Sequence, residues 1–261
     1  MDKARITFLG TGTSQGLPII GCECAVCSSD DPKDKRLRAS VFVEYRGLNI
    51  LVDAGPDFRY QMLRAGIRHL DAILLTHHHK DHTGGLDDVR AFNYIEKRPT
   101  EIYCEKYVEK SLRKEYSYAF AKRKYPGAPE WNIHIVDEHP FTVSSDSGKS
   151  AEIIPIRGMH GKIPVLGYRF GDIAYCTDMN FIPDSEFGKL RGLEHFVLNC
   201  VKRGKHISHF SIEEATQTAE RVGAKHTWLT HLSHRLPQYR QLCAELPDGI
   251  APAYDGLVID G

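Results

Sequence analysis

The chain has 261 residues, 41% hydrophobic and 26% charged, a composition that suits one large soluble domain or two small ones. Lys plus Arg total 34 and Asp plus Glu total 34, so the zero net charge excludes a general pull toward nucleic acid or an anionic membrane surface. No apolar run approaches the ~18 residues of a membrane span, and the start MDKARITFLGTGTSQG has no apolar h-region, so the expected location is the cytoplasm, with no membrane association.

In chain order, RITFLG reads as a first strand, followed by a turn with Gly10, Gly12 and Gly16. A dinucleotide fingerprint needs glycine where Gln15 stands, and no clear helix follows, so a Rossmann reading is rejected. GCECAVC then places Cys22, Cys24 and Cys27 within six positions. In a cytoplasmic chain such a cluster binds metal more often than it forms disulfides. Cys104, Cys176, Cys200 and Cys243 stand singly and read as packing residues. SVFVEYRGLNILVDAG predicts a hairpin turning at Arg46 and Gly47 and ending at Asp53. ILLT at 73–76 is a buried strand, and a helix is expected over 83–95 after Gly84 and Gly85.

Residues 97–131 are basic and tyrosine-rich, with nine Lys or Arg between Lys97 and Lys124. EKYVEKSLRKEYSYAFAKRKY within them is expected to be helical, either a solvated face or an insertion facing substrate or a partner. Strands resume with AEIIPI, VLGYRF, DIAYCT and HFVLNC. SIEEATQTAERVGA is a helix with Ser211 and Glu214 at capping-box spacing and an apolar stripe of Ile212, Ala215, Ala219 and Val222. HTWLT is a further strand, PQYRQLCAEL a helix and GLVI a closing strand. Strands cluster in both halves with helices between and after them, which suggests two sheets with helices outside, in one domain.

The densest chemistry is THHHKDH at 76–82, directly after a buried strand. In an extended turn His77 and His79 point the same way, and Asp81 and His82 turn toward a second point nearby. Buried imidazoles and carboxylates are costly without partners, so four in six residues point to metal rather than packing. His78 falls outside this pattern, as a supporting or surface residue. Single candidates then follow later strands: His160 after AEIIPI, Asp178 after DIAYCT and His231 after HTWLT. They recur where strands end, which is where sheets build sites.

The set HxHxDH at 77–82, followed by His160, Asp178 and His231, resembles the metallo-β-lactamase superfamily of dinuclear hydrolases. The resemblance covers nearly the whole chain. It implies an α+β fold, a four-layer αββα sandwich over residues 1–261 with a basic helical insertion around 97–131. It implies that His77, His79 and His160 hold one metal, that Asp81, His82 and His231 hold the other, and that Asp178 bridges them. It also implies that the acid of the DAG at 53–55 supports the site. TGTSQG, GCECAVC, THHHKDH and LTHLSH together look like the PhnP-type phosphodiesterases, which cleave cyclic phosphate esters of ribose. In that group three cysteines and a late histidine hold a separate structural zinc. The matching fourth ligand for Cys22, Cys24 and Cys27 is His234, three residues after His231. A Cys3His set is a closed tetrahedral zinc site.

The implied activity is hydrolysis of a small or cyclic phosphodiester. Two divalent cations, Zn or Mn, about 3.5–4 Å apart would hold a bridging hydroxide. Asp81 and His209 are the residues expected to carry turnover. His209, in the loop KRGKHISHFS, would protonate the leaving alkoxide, and the resemblance prefers it over His206. The expected partner is a small-molecule phosphodiester, in a monomer or a homodimer, with nucleic acid less favoured. A ribonuclease Z-like RNA-processing enzyme is the nearest alternative. The zero net charge and the lack of an obvious flexible arm oppose it, and the basic 97–131 stretch supports it. Glyoxalase II-like thioester hydrolysis is a second alternative. A zinc β-lactamase is disfavoured because the common subclass has Cys where Asp178 stands. A zinc-stabilised binding protein without activity is opposed by the intact ligand set.

Overall fold

The computed structural model describes residues 3–261. The first half of the chain supplies β1 (Arg5–Gly10), β2 (Ser40–Tyr45), β3 (Leu48–Val52), β4 (Ala72–Leu74), β5 (Thr100–Cys104) and β6 (Trp131–Ile135). The second half supplies β7 (Phe141–Ser144), β8 (Ser150–His160), β9 (Ile163–Phe170), β10 (Ile173–Cys176), β11 (His195–Asn199), β12 (His226–Thr230), β13 (Ile250–Pro252) and β14 (Val258–Asp260). They form two seven-stranded sheets, in the orders β14-β1-β2-β3-β4-β5-β6 and β13-β12-β11-β10-β9-β8-β7. In each sheet one part is an antiparallel meander and the other is parallel, β3 to β6 in the first and β10 to β13 in the second.

Period-two alternation assigns each strand's side chains to layers. Ile50, Val52 and Leu74 face inward and meet Leu166, Tyr168 and Tyr175 of the other sheet in the central core. Leu51, Ile73 and Ile102 face outward and pack with Phe58 and Met62 of α1 (Phe58–Ala65), Phe92 of α3 (Arg90–Glu96) and Val108 and Leu112 of α4 (Lys106–Glu115). Between α1 and α3 lies the four-residue helix α2 (Lys80–Thr83). On the far side, Ile156, Ala174, Cys176 and Leu198 pack with Ile212 and Ala215 of α5 (Ile212–Val222) and Leu242 of α6 (Tyr239–Glu245). The result is the four-layer αββα sandwich expected from the sequence. The capping box of α5 is present, with Ser211 Oγ accepting from Glu214 N and Glu214 Oε2 from Ser211 N. No helix among the described residues is long and apolar enough to cross a membrane.

Several local expectations are corrected. The helix expected over 83–95 is a 3-10 turn at Leu86–Val89 followed by α3. The stretch 97–131 is not a helical insertion throughout: β5 lies inside it and pairs in parallel with both β4 and β6. Helix α4 stops at Glu115 because the next aromatics leave helical spacing to wrap Trp131, with Tyr116 and Phe120 ring centroids 5.3 and 5.6 Å from it. Tertiary packing overrides helix propensity there. Strands β5, β6, β7 and β13 and helix α1 were not anticipated. Cys104, Cys176 and Cys200 are buried packing residues, whereas Cys243 is exposed.

The glycine of DAG has a steric task. A Cβ at Gly55 would stand 2.0 Å from the backbone oxygen of Asp81, so the turn after β3 and the HxHxDH turn touch backbone to backbone. Gly55→Ala is expected to force these turns apart and destabilise the protein by about 1–3 kcal/mol. A urea unfolding midpoint unchanged from the parent protein would show that the turns can part freely.

Candidate metal centres

Asp53 follows β3, His77, His79, Asp81 and His82 follow β4, His160 ends β8, Asp178 follows β10 and His231 follows β12. The two sheets are tied at this edge by Leu166 N donating to Thr76 O (3.1 Å) and by the Tyr168 hydroxyl donating to Leu75 O (2.7 Å). The turn carrying Asp178 is clamped by buried Asn199, which accepts from Met179 N (2.7 Å) and donates to Met179 O (2.9 Å). Among the described residues five non-glycine residues have positive φ, and three of them are Asp53, Asp178 and His231. Left-handed backbone at non-glycine residues is costly and concentrates where geometry serves function.

The carboxylates and imidazoles converge. One ligand atom each from Asp81, His82, Asp178 and His231 lie within 4.8 Å of one another. His82 Nε2 is 3.3 Å from Asp81 and 3.1 Å from Asp178, and His231 Nε2 is 3.2 Å from Asp178. Ligands at 2.0–2.1 Å around a tetrahedral cation are separated by about 3.3 Å. Yet His82 Nε2 and both His231 nitrogens, all buried, have no hydrogen-bond partner. The two Nε2 atoms lie against the carboxylates of Asp81 and Asp178, and such orphaned groups are costly unless something occupies the space among them. The residues therefore fit a divalent cation. A second compact set joins His160, Asp178 and His209, so Asp178 belongs to both. His77 and His79 stand beside it, tilted and edge-on to His160 with ring centroids 5.6 and 5.0 Å away, and His77 Nε2 is also orphaned. This second set includes His209, the residue expected from the sequence to protonate the leaving group.

Three imidazoles are oriented through their far nitrogens. His82 Nδ1 contacts Asp53 Oδ2 at 2.6 Å, and His160 Nδ1 donates to Ser208 O at 2.8 Å. Thr76 Oγ1 donates to Asp53 Oδ2 (2.9 Å), so its lone pair accepts from His77 Nδ1 (3.0 Å). Each Nδ1–H so held leaves an Nε2 lone pair for the site. Asp53, completely buried, also accepts from Thr76 N (2.8 Å) and thereby aligns both His77 and His82. Thr76, Ser208 and Asn199 were not singled out in the sequence. Only their adjacency to candidate ligands could have marked Thr76 and Ser208.

The field of the site favours positive charge. Burial pushes His82 down, but Asp178, Asp81 and Asp53 outweigh it and hold the imidazole well above its usual range. Burial pushes Asp178 and Asp81 up, and His231 and His82 overcome it and hold both below the usual carboxylate range. The proton between Asp53 and His82 therefore sits on His82 Nδ1, and a cation at Nε2 would take the place of the imidazolium's other proton. Burial, then neighbouring His82, pushes His77 well down against the pull of Asp178 and Asp81, which favours the neutral ring that a ligand needs.

A separate cluster joins Cys22, Cys24, Cys27 and His234. His234 Nδ1 is 3.2, 3.6 and 3.8 Å from the three Sγ atoms. Tetrahedral Zn with bonds of 2.3 Å to sulfur and 2.0–2.1 Å to nitrogen separates them by about 3.6 Å. The cluster joins the N-terminal loop to the segment carrying His231. The tyrosines of the basic stretch have a supporting place: Tyr116 donates to Thr83 O (2.8 Å) and Tyr118 to Asp87, pinning residues 116–118 onto the HxHxDH turn.

Comparison with known proteins agrees with this architecture. Residues 48–232 match the family model of the beta-lactamase superfamily domain. The crystal structure of a diphosphatase from the PhnP family shares 41% identity and a TM-score of 0.90, over 99% of this chain and 97% of that one. An octanoyltransferase of Porphyromonas gingivalis is 41% identical over 97% of this chain, which spans only 51% of that protein's length. A ribonuclease Z of Agathobacter rectalis is 25% identical over 86% of this chain and 91% of its own. With two mixed sheets, the strand-end His and Asp cluster and these matches, the chain belongs to the beta-lactamase superfamily, as a metallo-β-lactamase-fold protein close to the PhnP family.

Proposed function

We propose that the chain is a dinuclear metal-dependent hydrolase of phosphate esters, with a small or cyclic phosphodiester as the first substrate class to test. The observation that carries this reading is the set of buried imidazole nitrogens, unpaired yet aimed at the carboxylates of Asp81 and Asp178. In this reading Asp81, His82, Asp178 and His231 hold one cation. His77, His79 and His160 hold the other with Asp178 shared. Imidazole and carboxylate donors without thiolate suit zinc and manganese alike. Such cations supply Lewis acidity toward a phosphoryl oxygen and lower the pKa of water. The similarity to a diphosphatase and to a ribonuclease Z supports phosphorus as the reacting centre. The octanoyltransferase relative supports an acyl ester as the rival, so an octanoyl thioester belongs in the same substrate panel. A metal-loaded protein that cleaves the thioester and no phosphate ester would overturn the proposal.

The chain's own residues have separable tasks. Asp53, Thr76 and Ser208 fix the tautomers of His82, His77 and His160. His209 is partly open to the site, with Nδ1 3.8 Å from Asp178 and ring centroids 4.5 and 4.8 Å from His160 and His231. It is placed to hold a proton at the leaving-group oxygen. Burial, then the neighbouring His231, pushes His209 down to about 3. An anionic phosphate beside it acts in the opposite direction and favours the protonated ring. We assign Cys22, Cys24, Cys27 and His234 a structural zinc.

Asp81→Ala is expected to remove activity and lower metal content at the strand-end site with the fold retained. Cys24→Ser is expected to remove one zinc and lower Tm by on the order of 5–10 °C. Metal analysis with thermal unfolding checks both, and an unchanged zinc content and Tm in Cys24→Ser would refute the structural site. His209→Ala is expected to lower turnover by about 10²–10⁴ on esters with an alkoxide leaving group. The loss should be much smaller with a nitrophenolate, which needs no proton. Equal losses on both substrates would instead mark His209 as a metal ligand or positioning residue, in keeping with its place beside His160 and Asp178.

A further inference from the structure

Asp178 is the one residue common to both compact ligand sets, so the orientation of its carboxylate decides how two cations could share it. Its backbone is fixed. The residue stands in left-handed conformation, with φ 56°, and Asn199 holds both N and O of Met179 directly after it. A fixed backbone does not orient the carboxylate, because the terminal sp3–sp2 torsion has a broad minimum and its rotation exchanges the two oxygens.

The two oxygens have different neighbours. Oδ2 lies 3.1 Å from His82 Nε2, whereas Oδ1 lies 3.2 Å from His231 Nε2 and 3.8 Å from His209 Nδ1. His82 and His231 belong to one set, so each oxygen lies beside a ligand of the same cation. Chelation of that cation by both oxygens therefore competes with sharing between two cations. One hydrogen bond tells the oxygens apart: Thr177 Oγ1 donates to Oδ2 at 2.9 Å. Among the described residues no other hydroxyl or backbone N–H donates to this carboxylate. Thr177 follows β10 and is completely buried, so bulk water does not compete for its hydroxyl. Thr76 holds the matching place after β4, where its hydroxyl bonds Asp53 and accepts from His77. Each sheet thus sets a buried threonine immediately before a candidate ligand, His77 in the first and Asp178 in the second.

We propose that Thr177 is a positioning residue that makes Asp178 the shared ligand of the two cations. Its hydroxyl occupies one lone pair of Oδ2 and limits that oxygen to the cation of Asp81, His82 and His231. Oδ1 is thereby kept for the cation of His77, His79 and His160. Without the hydroxyl, the carboxylate is free to turn both oxygens onto the first cation. This rests on the dinuclear part of the reading above and is independent of which ester is cleaved.

The test titrates Mn(II) into the chelator-treated full chain, follows free ion by solution EPR and detects a bound pair by its exchange-coupled spectrum at low temperature. The parent protein is expected to bind two ions and to show the pair. Thr177→Val keeps the shape and removes the hydroxyl. It is expected to bind the second ion about 10–100-fold more weakly, the usual effect of losing a hydrogen bond to a ligand, and to lose the pair spectrum at two equivalents. Affinity for the first ion should change much less. Thr177→Ser, which keeps the hydroxyl, should restore the second ion and the spectrum. Should Thr177→Val fail to fold, Thr177→Ala also lacks the donor and is held to the same outcomes. Equal weakening of both ions, or no recovery in Thr177→Ser, would overturn the proposal in favour of a general packing role. A pair that persists unchanged in Thr177→Val would overturn the proposal alone. A parent protein that binds one ion and shows no pair would overturn the dinuclear reading and the proposal with it.

Discussion

The carboxylate of Asp53 is the constraint on which the site's geometry depends. It is wholly buried in the turn after β3 and accepts from Thr76 N, Thr76 Oγ1 and His82 Nδ1. Burial alone pushes its pKa up, and a buried charge without partners would be untenable. The partners it recruits belong to the turn after β4, so the cost of burying Asp53 is offset by contacts that align His82 directly and His77 through Thr76. Gly55 acts on the same pair of turns by letting the Asp81 carbonyl approach. The DAG segment thus acts on HxHxDH from below, through one hydrogen-bonded carboxylate and one absent Cβ.

The second sheet contributes by different means. Asp178 and His231 follow the parallel strands β10 and β12 in left-handed backbone, and His160 closes the antiparallel strand β8. Asn199 on β11, between β10 and β12, holds the backbone just after Asp178, and Ser208 holds His160. His231 lacks any such anchor on its ring. Its restraint comes from the chain: three residues later His234 enters the Cys22, Cys24 and Cys27 cluster. A cation in that cluster would fix the far end of the His231 turn, so a structural centre outside the active site has a direct mechanical reason to matter there.

Much of this was legible in the sequence because metal chemistry demands particular residue types at particular places. Four candidate ligands in six residues after a buried strand have no packing rationale. His160, Asp178 and His231 repeat the strand-end placement at longer range. The two-sheet sandwich followed from strand clusters in both halves, and the α5 capping box from Ser211 and Glu214. What failed was set by long-range contacts. α4 ends early because Tyr116 and Phe120 turn toward Trp131, and Tyr116 donates its hydroxyl to Thr83 O, 33 residues earlier. β5 was hidden in a basic stretch because Ile102, Tyr103 and Cys104 are buried on both faces and carry no alternation. The alignment role of Thr76 and the His209 contact with Asp178 depend on atoms whose meeting no spacing rule encodes.

Electrostatics connects these parts into one gradient. At the bottom, Asp53, Asp81 and Asp178 surround His82 and create a strong demand for positive charge. Two divalent cations would satisfy that demand and reverse the sign of the field facing solvent. The loop and segment beyond His209 carry Lys202 and Arg235, neither with a carboxylate partner among the described residues. An anion approaching the loaded site would therefore meet attraction at both depths. A chain with zero net charge can steer a phosphate only through such local segregation of charge, with acids buried beneath the ligands and bases kept at the mouth.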